Sequence, residues 1–188
     1  MEGPFTVFVD RDGVINRDSD AYIKNCDEFH FLPGSLTAIA RLTQMGYQVI
    51  VITNQSIIGR KMVEMDVLEA IFQKLVKGVE DTGGKIKDIF FCPHAPGDNC
   101  DCRKPLPGMI LKAKEKYDID LDKSCMIGDS AKDIECGKNA GCRVTLLVKT
   151  GNGKKAEVEL IEKKSQPDYV ANDFLDAVEW IIQNKLPT

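Results

Sequence analysis

Apolar and polar positions follow two distinct patterns along this chain. Short apolar runs rich in β-branched and aromatic residues, typical of buried strands, occur at residues 5–9, 47–53, 86–92, 124–128, 143–148 and 169–170. Between them, apolar positions with helical spacing predict helices at residues 35–45, 66–80, 108–117, 131–140 and 173–184. Strand and helix therefore alternate along nearly the whole chain.

Continuous apolar strands joined by helices favour a mostly parallel sheet with helices on both faces, because a parallel connection needs a return path of helix length. We therefore predict a doubly wound, Rossmann-like α/β fold. In such sheets ligands bind outside the carboxyl ends of the strands. The residues that follow each strand are thus the candidates for function.

Two segments lack a clear pattern of strand or helix. Residues 151–164 are polar and charged, and we predict a surface loop with some helix there. Residues 93–107 are dominated by turn-forming residues. No repeat or interdomain linker interrupts the chain, so we predict a single domain spanning residues 1–188.

Composition narrows the range of partners. The 188 residues are 43% hydrophobic, enough for one sizeable core, and carry a net charge of -4. An acidic chain lacks the basic surface of a dedicated nucleic-acid binder. The sequence shows no secretion signal and no apolar stretch of membrane-spanning length. We expect a soluble, cytoplasmic, monomeric protein that acts on a small molecule, without nucleic-acid or membrane partners.

Two carboxylates follow the first predicted strand directly, in the run Asp10-Arg11-Asp12-Gly13. Side chains two residues apart in an extended chain point to a common side, so Asp10 and Asp12 can act together. Paired carboxylates bind Mg²⁺ and divide catalytic roles between them. Asp and Gly are also favoured in turns, so this fragment alone is equally consistent with an acidic turn.

The later strand ends add further groups. Thr53 supplies a hydroxyl after the second strand, Lys104 supplies a cation, and Asp129 and Asp133 follow the fourth strand at the start of a helix. Phosphoryl transfer needs such a set: an anionic nucleophile, cations that neutralise the phosphate, and a group that moves protons. Together these residues indicate a phosphoryl-transfer site.

A second cluster lies in the turn-rich segment. Three of the seven cysteines and one histidine fall within residues 92–102 as Cys92, His94, Cys100 and Cys102. Three thiolates and an imidazole complete the tetrahedral shell of a structural Zn²⁺. The alternative is reduced cysteines packed in a core, but the polar residues 95–99 between them offer little burial.

A zinc-binding loop at residues 92–102 would lead directly into Arg103 and Lys104, and so would position both cations at the site. The other four cysteines are interpreted as ordinary small apolar residues. These are Cys26, Cys125, Cys136 and Cys142.

The order and spacing of these motifs resemble the haloacid dehalogenase (HAD) superfamily of phosphatases. The matching positions are Asp10-Arg11-Asp12-Gly13, Thr53, Lys104 and residues 128–133. The resemblance implies that Asp10 attacks phosphorus to form an aspartyl-phosphate, while Asp12 is the general acid and base. It also implies Mg²⁺ bound by Asp10, the backbone carbonyl of Asp12, and Asp129.

The same resemblance assigns supporting roles to three residues. Thr53 and Lys104 would bind the oxygens of the transferred phosphoryl group. Asp133 would orient either the metal ligands or Lys104 from behind.

The cysteine loop before Arg103 and Lys104 resembles one branch of that superfamily, which contains D-glycero-D-manno-heptose 1,7-bisphosphate phosphatases and histidinol-phosphate phosphatases. The chain is more similar to the heptose group over nearly its whole length. This implies the following substrate-binding residues: Asn16, Asp18, Ser19, Asp20, Ala21, Tyr22, Asn54, Gln55, Ser56, Arg103 and Ser130.

One loop departs from the pattern. Heptose enzymes continue after Thr-Asn-Gln-Ser with Gly-Ile-Ala-Arg-Gly, whereas this chain reads Ile57-Ile58-Gly59-Arg60-Lys61. The resemblance is therefore weakest in a loop that shapes specificity. The short intervals between motifs leave no room for a large cap domain, so only residues 16–31 and the cysteine loop can cover the site.

The resemblance implies a magnesium-dependent phosphatase that removes the phosphate at C7 of a heptose 1,7-bisphosphate. Three alternatives stay open at this point. They are a histidinol-phosphate phosphatase, a 3′-phosphatase of nucleic-acid ends, which the acidic net charge disfavours, and a non-catalytic zinc-stabilised binding domain. The presence of every motif residue disfavours the last.

Overall fold

A computed structural model of the chain describes residues 3–184. Its strands form one sheet in which every neighbouring pair is parallel, in the order β3-β2-β1-β4-β5-β6. The strands are β1 (Thr6–Val9), β2 (Gln48–Asn54), β3 (Asp88–Cys92), β4 (Ser124–Gly128), β5 (Val144–Val148) and β6 (Tyr169–Ala171). The helices are α1 (Ser35–Gln44), α2 (Met65–Glu80), α3 (Gly108–Tyr117), α4 (Ala131–Ala140), α5 (Gly153–Glu162) and α6 (Phe174–Gln183).

The doubly wound α/β prediction is confirmed. The five predicted helices appear with ends within one residue of the prediction. Since β1 lies between β2 and β4, the strand order reverses at β1, which places a topological switch point beside it.

The prediction of a surface loop with some helix for residues 151–164 underestimated the helix. Residues Gly153–Glu162 form the regular helix α5. Its buried residues Ala156 and Leu160 pack in one cluster with Ile134 of α4 and Leu147 of β5. The other apolar residues of the helix, Val158 and Ile161, are exposed, so packing of Ala156 and Leu160 against α4 and the sheet stabilises it.

Alternate residues of each strand face opposite sides of the sheet. In β1, Val7 and Val9 join a cluster with α1, α2 and α6, whereas Phe8 joins a second cluster with α3. All of these side chains are fully buried. Burial on both faces explains why the strands are continuously apolar.

The register brings several loops to one edge. Val9 pairs with Val51 of β2 and with Ile127 of β4, and Gly128 pairs with Leu147 of β5. Because the strands are parallel, the loops that follow them converge at their carboxyl ends. Within residues 3–184, no helix has both the length and the apolar character that crossing a bilayer requires.

Candidate active site

A cavity of about 550 Å³ opens at the carboxyl edge of the sheet. It is lined by loops after β1, β2, β4 and β5 and by residues next to the cysteine loop. The predicted site residues that line it are Asp10, Asp12, Asp18, Ser19, Asp20, Tyr22, Thr53, Asn54, Gln55, Ser56, Arg103, Lys104, Asp129, Ser130 and Asp133. The structure thus brings together groups from widely separated parts of the chain.

Lys104 occupies the centre of the cavity floor. Its Nζ lies 2.8 Å from Oδ1 of Asp10 and 2.6 Å from Oδ1 of Asp133, and it donates to the carbonyl of Ile52 at 2.9 Å. Burial opposes the charged form of Lys104, but the two carboxylates outweigh it and hold the pKa of the amine above its ordinary value. The lysine is therefore a fixed buried cation.

Asp10, Asp129 and Asp133 form a cluster that fits a divalent cation. One carboxylate oxygen of each lies within 4.8 Å of the others. Burial raises the pKa of Asp10 to about 7, against the opposing effect of Lys104, and burial together with Asp133 and Asp10 raises the pKa of Asp129 to about 8. A bound cation would favour the ionised form of these buried carboxylates, and an all-oxygen set suits Mg²⁺.

Two glycines make room for Asp129. A Cβ atom at Gly13 or at Gly151 would collide with the Asp129 carboxylate, and both glycines have positive φ values, 81° and 55°. The amide of Asn152 donates to Oδ2 of Asp129 at 2.8 Å. The loops after β1 and β5 therefore enclose this carboxylate closely.

Asp12 faces a different set of partners. Its carboxylate accepts two hydrogen bonds from Nη2 of Arg11, at 2.8 and 2.9 Å, and one each at 2.9 Å from Asn16 and Gln55. Burial alone would raise the pKa of Asp12, but the Arg11 guanidinium and these hydrogen bonds lower it below its ordinary value. The two acids of the Asp10-Asp12 pair thus have opposite pKa shifts.

Asp133 is held from two sides. Its Oδ2 accepts hydrogen bonds from the amide and hydroxyl of Ser130 at 3.0 and 2.7 Å, while Oδ1 faces Lys104. Of the two partners predicted for Asp133, the metal ligands and Lys104, the structure shows a direct contact with Lys104. The Asp133 carboxylate also belongs to the acidic cluster with Asp10 and Asp129, so Lys104 and this cluster share it.

The cysteine loop gathers four potential ligands. Cys92, His94, Cys100 and Cys102 each offer one donor atom within 4.8 Å of the others. Nδ1 of His94 lies 3.5 and 3.3 Å from the sulfurs of Cys92 and Cys102. All four are present as free thiols or imidazole, and this donor set fits Zn²⁺.

This loop is tied to the cavity. Nη1 of Arg103 donates to the carbonyl of His94 at 3.0 Å. The side chain of Asn54 accepts from the amide of Lys104 at 3.1 Å and donates to its carbonyl at 3.3 Å. These bonds fix the backbone from which both cations project.

Comparison with known proteins identifies the family. Residues 101–177 match the model of a family described as HAD-hydrolase-like. The D-glycero-beta-D-manno-heptose-1,7-bisphosphate 7-phosphatase of Bordetella bronchiseptica is 48% identical over 149 residues, which cover 79% of this chain and 83% of the relative. The chain belongs to the HAD phosphatases. The protein of the same name from Neisseria meningitidis is 39% identical over 94% of both chains.

A solved structure supports the same assignment. The crystal structure of the D,D-heptose 1,7-bisphosphate phosphatase from B. bronchiseptica, complexed with magnesium and phosphate, has a TM-score of 0.89 and 41% identity. The alignment covers 98% of this chain and 99% of that chain. This HAD phosphatase therefore shares its fold with that enzyme over nearly all of the described residues.

Two predicted substrate-binding residues do not line the cavity. Asn16 is fully buried and does not line the cavity, because its amide donates to Asp12 and to the carbonyl of Arg17. Ala21 also does not line the cavity, although its neighbours Asp20 and Tyr22 do. The Asn16 side chain therefore supports the Asp12 carboxylate instead of facing the cavity.

Sequence reasoning missed several residues of the cavity wall, among them Arg60, Lys132, Asn152 and Lys155. Asn152 connects two loops, since its side chain donates to Asp18 at 2.9 Å while its amide binds the acidic cluster. One signal could have found it: Asn152 follows β5 as the other site residues follow β1, β2 and β4.

Proposed function

We propose that this HAD phosphatase removes the phosphate at C7 of D-glycero-D-manno-heptose 1,7-bisphosphate, with Asp10 as the nucleophile. The observation that carries the proposal is the buried contact of Lys104 with Asp10 and Asp133, at the floor of a cavity that also holds Asp12 and Asp129. Relatives aligned over most of their length and named for this reaction support the choice of substrate.

Charge neutralisation comes first in the proposed reaction. Lys104 and the Thr53 hydroxyl hold oxygens of the phosphoryl group next to Asp10. Asp10, Asp129 and the backbone carbonyl of Asp12 would hold Mg²⁺, which when bound neutralises negative charge on phosphate and on the carboxylates. An anionic nucleophile can then approach an anionic phosphate.

Two displacements follow. A carboxylate oxygen of Asp10 forms a bond to phosphorus as the bond from phosphorus to the C7 oxygen breaks, and Asp12 gives its proton to the departing alkoxide. Asp12 then takes a proton from water, whose oxygen attacks phosphorus and releases Asp10. The negative charge of the bound substrate opposes the effect of Arg11 and favours the protonated form of Asp12.

The cysteine loop has a structural role in this proposal. Four protein ligands close a tetrahedral Zn²⁺ site and leave no position for substrate. The loop is linked to Arg103 through the carbonyl of His94 and leads into Lys104. Zinc would therefore hold two cations in place without taking part in the reaction.

Steady-state kinetics with Mg²⁺ test the substrate. We expect kcat/KM for the heptose 1,7-bisphosphate to exceed the values for fructose 1,6-bisphosphate and for histidinol phosphate by about tenfold or more. A preference for histidinol phosphate of that size would overturn the choice of substrate while keeping the phosphatase chemistry.

A further inference from the structure

Arg60 lies on the wall of the cavity with a guanidinium group that has no polar partner among the described residues. The guanidinium carbon lies 6.0 Å from the centre of the Tyr22 ring, and both residues line the cavity. Arg103, also in the wall, uses Nη1 to bind a carbonyl of the cysteine loop. The N–H groups of the Arg60 guanidinium are therefore free to donate. An exposed guanidinium that lies against an aromatic ring is well suited to bind an anion.

The backbone under Arg60 is fixed to the cysteine loop. The amide of Gly59 donates to the carbonyl of Pro93 at 2.9 Å, and the amide of Gln55 donates to the carbonyl of Cys92 at 2.7 Å. The amide of Arg60 itself binds the carbonyl of Ser56 at 2.9 Å. Arg60 is thus presented by a bonded turn rather than by a free loop.

Gly59 stands where the sequence pattern of the heptose enzymes has alanine, and the structure gives a reason for this departure. A Cβ atom at this position would lie 2.6 Å from the carbonyl oxygen of Pro93 and 3.2 Å from the amide of Ala95. An alanine would push the turn away from the cysteine loop. Ile57, fully buried, fixes the other side of the same turn.

We propose that Arg60 binds the phosphate group that the reaction does not transfer, and that the contact of Gly59 with Pro93 sets its position. This inference rests on the proposed function, in which a sugar bisphosphate keeps one phosphate. Lys104 serves the phosphoryl group at the floor, so the retained phosphate needs a cation on the wall. A planar guanidinium offers two parallel hydrogen bonds to phosphate oxygens, which gives Arg60 selectivity for this group.

Arg103, Lys132 and Lys155 are the competing cations that line the cavity. Arg103 already uses Nη1 to bind the carbonyl of His94, whereas the two lysines are exposed. Their ammonium groups stand on flexible stems with no ring contact or hydrogen bond among the described residues. Arg60 is better preorganised because its backbone is bonded and its guanidinium lies against Tyr22.

The test compares two substrates that differ only in the retained group, the heptose 1,7-bisphosphate and the heptose 7-phosphate. For Arg60→Ala we expect KM for the bisphosphate to rise roughly 10- to 100-fold, as loss of a charged hydrogen-bonding partner does, with kcat nearly unchanged. KM for the monophosphate should stay at the parent value. Arg60→Lys should recover part of the loss, because it restores charge without the planar fork.

Lys61→Ala is the matched control, since this neighbouring cation does not line the cavity. It should leave both KM values unchanged. Equal effects of Arg60→Ala on the two substrates would overturn the proposal. So would a selective loss with Arg103→Ala, Lys132→Ala or Lys155→Ala but not with Arg60→Ala.

Gly59→Ala tests the positioning half of the proposal. We expect a selective rise in KM for the bisphosphate together with a lower Tm, because the added Cβ would displace the turn from the backbone of the cysteine loop, and an unchanged KM would overturn this half. Measurements on the parent protein distinguish a failure of the proposed function from a failure of the proposed role of Arg60. A parent that does not hydrolyse the bisphosphate contradicts the proposed function, whereas a parent that prefers it over the monophosphate while Arg60→Ala keeps that preference contradicts only the role of Arg60.

Discussion

The Nζ atom of Lys104 lies 2.8 Å from Oδ1 of Asp10, and the lysine side chain is only 3% exposed. The attacking carboxylate of the proposed reaction is therefore in contact with a buried cation before any substrate binds. Asp133 contacts the same Nζ, so three charged groups are buried together. Buried charges tolerate this only when each is paired.

Replacing Lys104 with Met should lower kcat by roughly a thousandfold, because the phosphoryl oxygens lose their fixed cation. It should also reduce the free energy of unfolding by about 3 kcal/mol, since two buried carboxylates lose their partner. Phosphate release and urea unfolding measure these effects. Lys112→Met is the control, because its partner Asp101 is 3.8 Å away and both are exposed. A Lys104 variant with near-parent activity would contradict the assigned role.

Without Mg²⁺ the stability of the protein should fall as pH rises, whereas the stabilisation gained on adding Mg²⁺ should grow. The pKa values of Asp10 and Asp129 are raised from 3.8 to about 7 and about 8, so the folded protein without Mg²⁺ binds more protons than the unfolded chain in this range. Its Tm should therefore fall as pH rises from about 4 to 8. Mg²⁺ binds the ionised carboxylates, so the rise in Tm on adding it should grow over the same range.

Calorimetry at several pH values, with and without Mg²⁺, measures both trends. Asp12 does not interfere, because its lowered pKa affects stability only as pH falls through its ordinary range and below. In Asp129→Asn the stabilisation by Mg²⁺ should be much weaker. An increase of Tm that is independent of pH would contradict the assignment of the acidic cluster as the cation site.

Arg11 should control the pH profile through Asp12. Its guanidinium is fully buried, lies about 6 Å from the rings of Phe29 and Phe72, and lowers the pKa of Asp12. Removing this charge in Arg11→Met raises the pKa of Asp12, so the limb of the pH-kcat profile that reports the acid should move to higher pH by about one unit.

Arg11→Lys keeps the charge and should move the profile less. Thermal unfolding of both variants separates this effect from a loss of folding. A pH profile of Arg11→Met that coincides with the parent profile would show that Arg11 supports only the packing around Phe29 and Phe72.

Loss of one cysteine ligand should release the metal and loosen the loop. In Cys100→Ser we expect little bound zinc, and a loss of about 2 kcal/mol would lower Tm by roughly 4–8 °C. KM should rise because Arg103 is linked to this loop through His94. Cys26→Ser is the control, since Cys26 lies outside the cluster. The structural zinc site would be contradicted if the purified parent protein contains no zinc and treatment with a chelator leaves its Tm unchanged.

The sequence predicted strands and helices well because burial on both faces makes β1, β2, β4 and β5 continuously apolar. It underestimated α5, where only Ala156 and Leu160 provide a buried stripe and the stabilising surface lies on α4 and β5. Such contacts form only in the tertiary structure, so the pattern of apolar positions within one segment indicates them only weakly.

The candidate site was likewise predicted only in part from the sequence. The rule that ligands bind at carboxyl ends of parallel strands located Asp10, Thr53 and Asp129, since each follows or ends a strand. The direction of a side chain was not predictable. Asn16 lies in the loop after β1 but does not line the cavity, and Arg60 lines it from a turn that is hydrogen-bonded to the cysteine loop.

The central claim is that Asp10 carries the phosphoryl group during turnover, and a burst experiment with Asp12→Asn tests it most directly. Nitrophenolate leaves without protonation, so this variant should still transfer phosphate from p-nitrophenyl phosphate to Asp10 but should hydrolyse the product slowly. We predict a burst of nitrophenolate stoichiometric with enzyme, a phosphoryl group on the peptide that contains Asp10, and neither in Asp10→Asn. Phosphate release without a burst, or a phosphoryl group on another residue, would contradict the account.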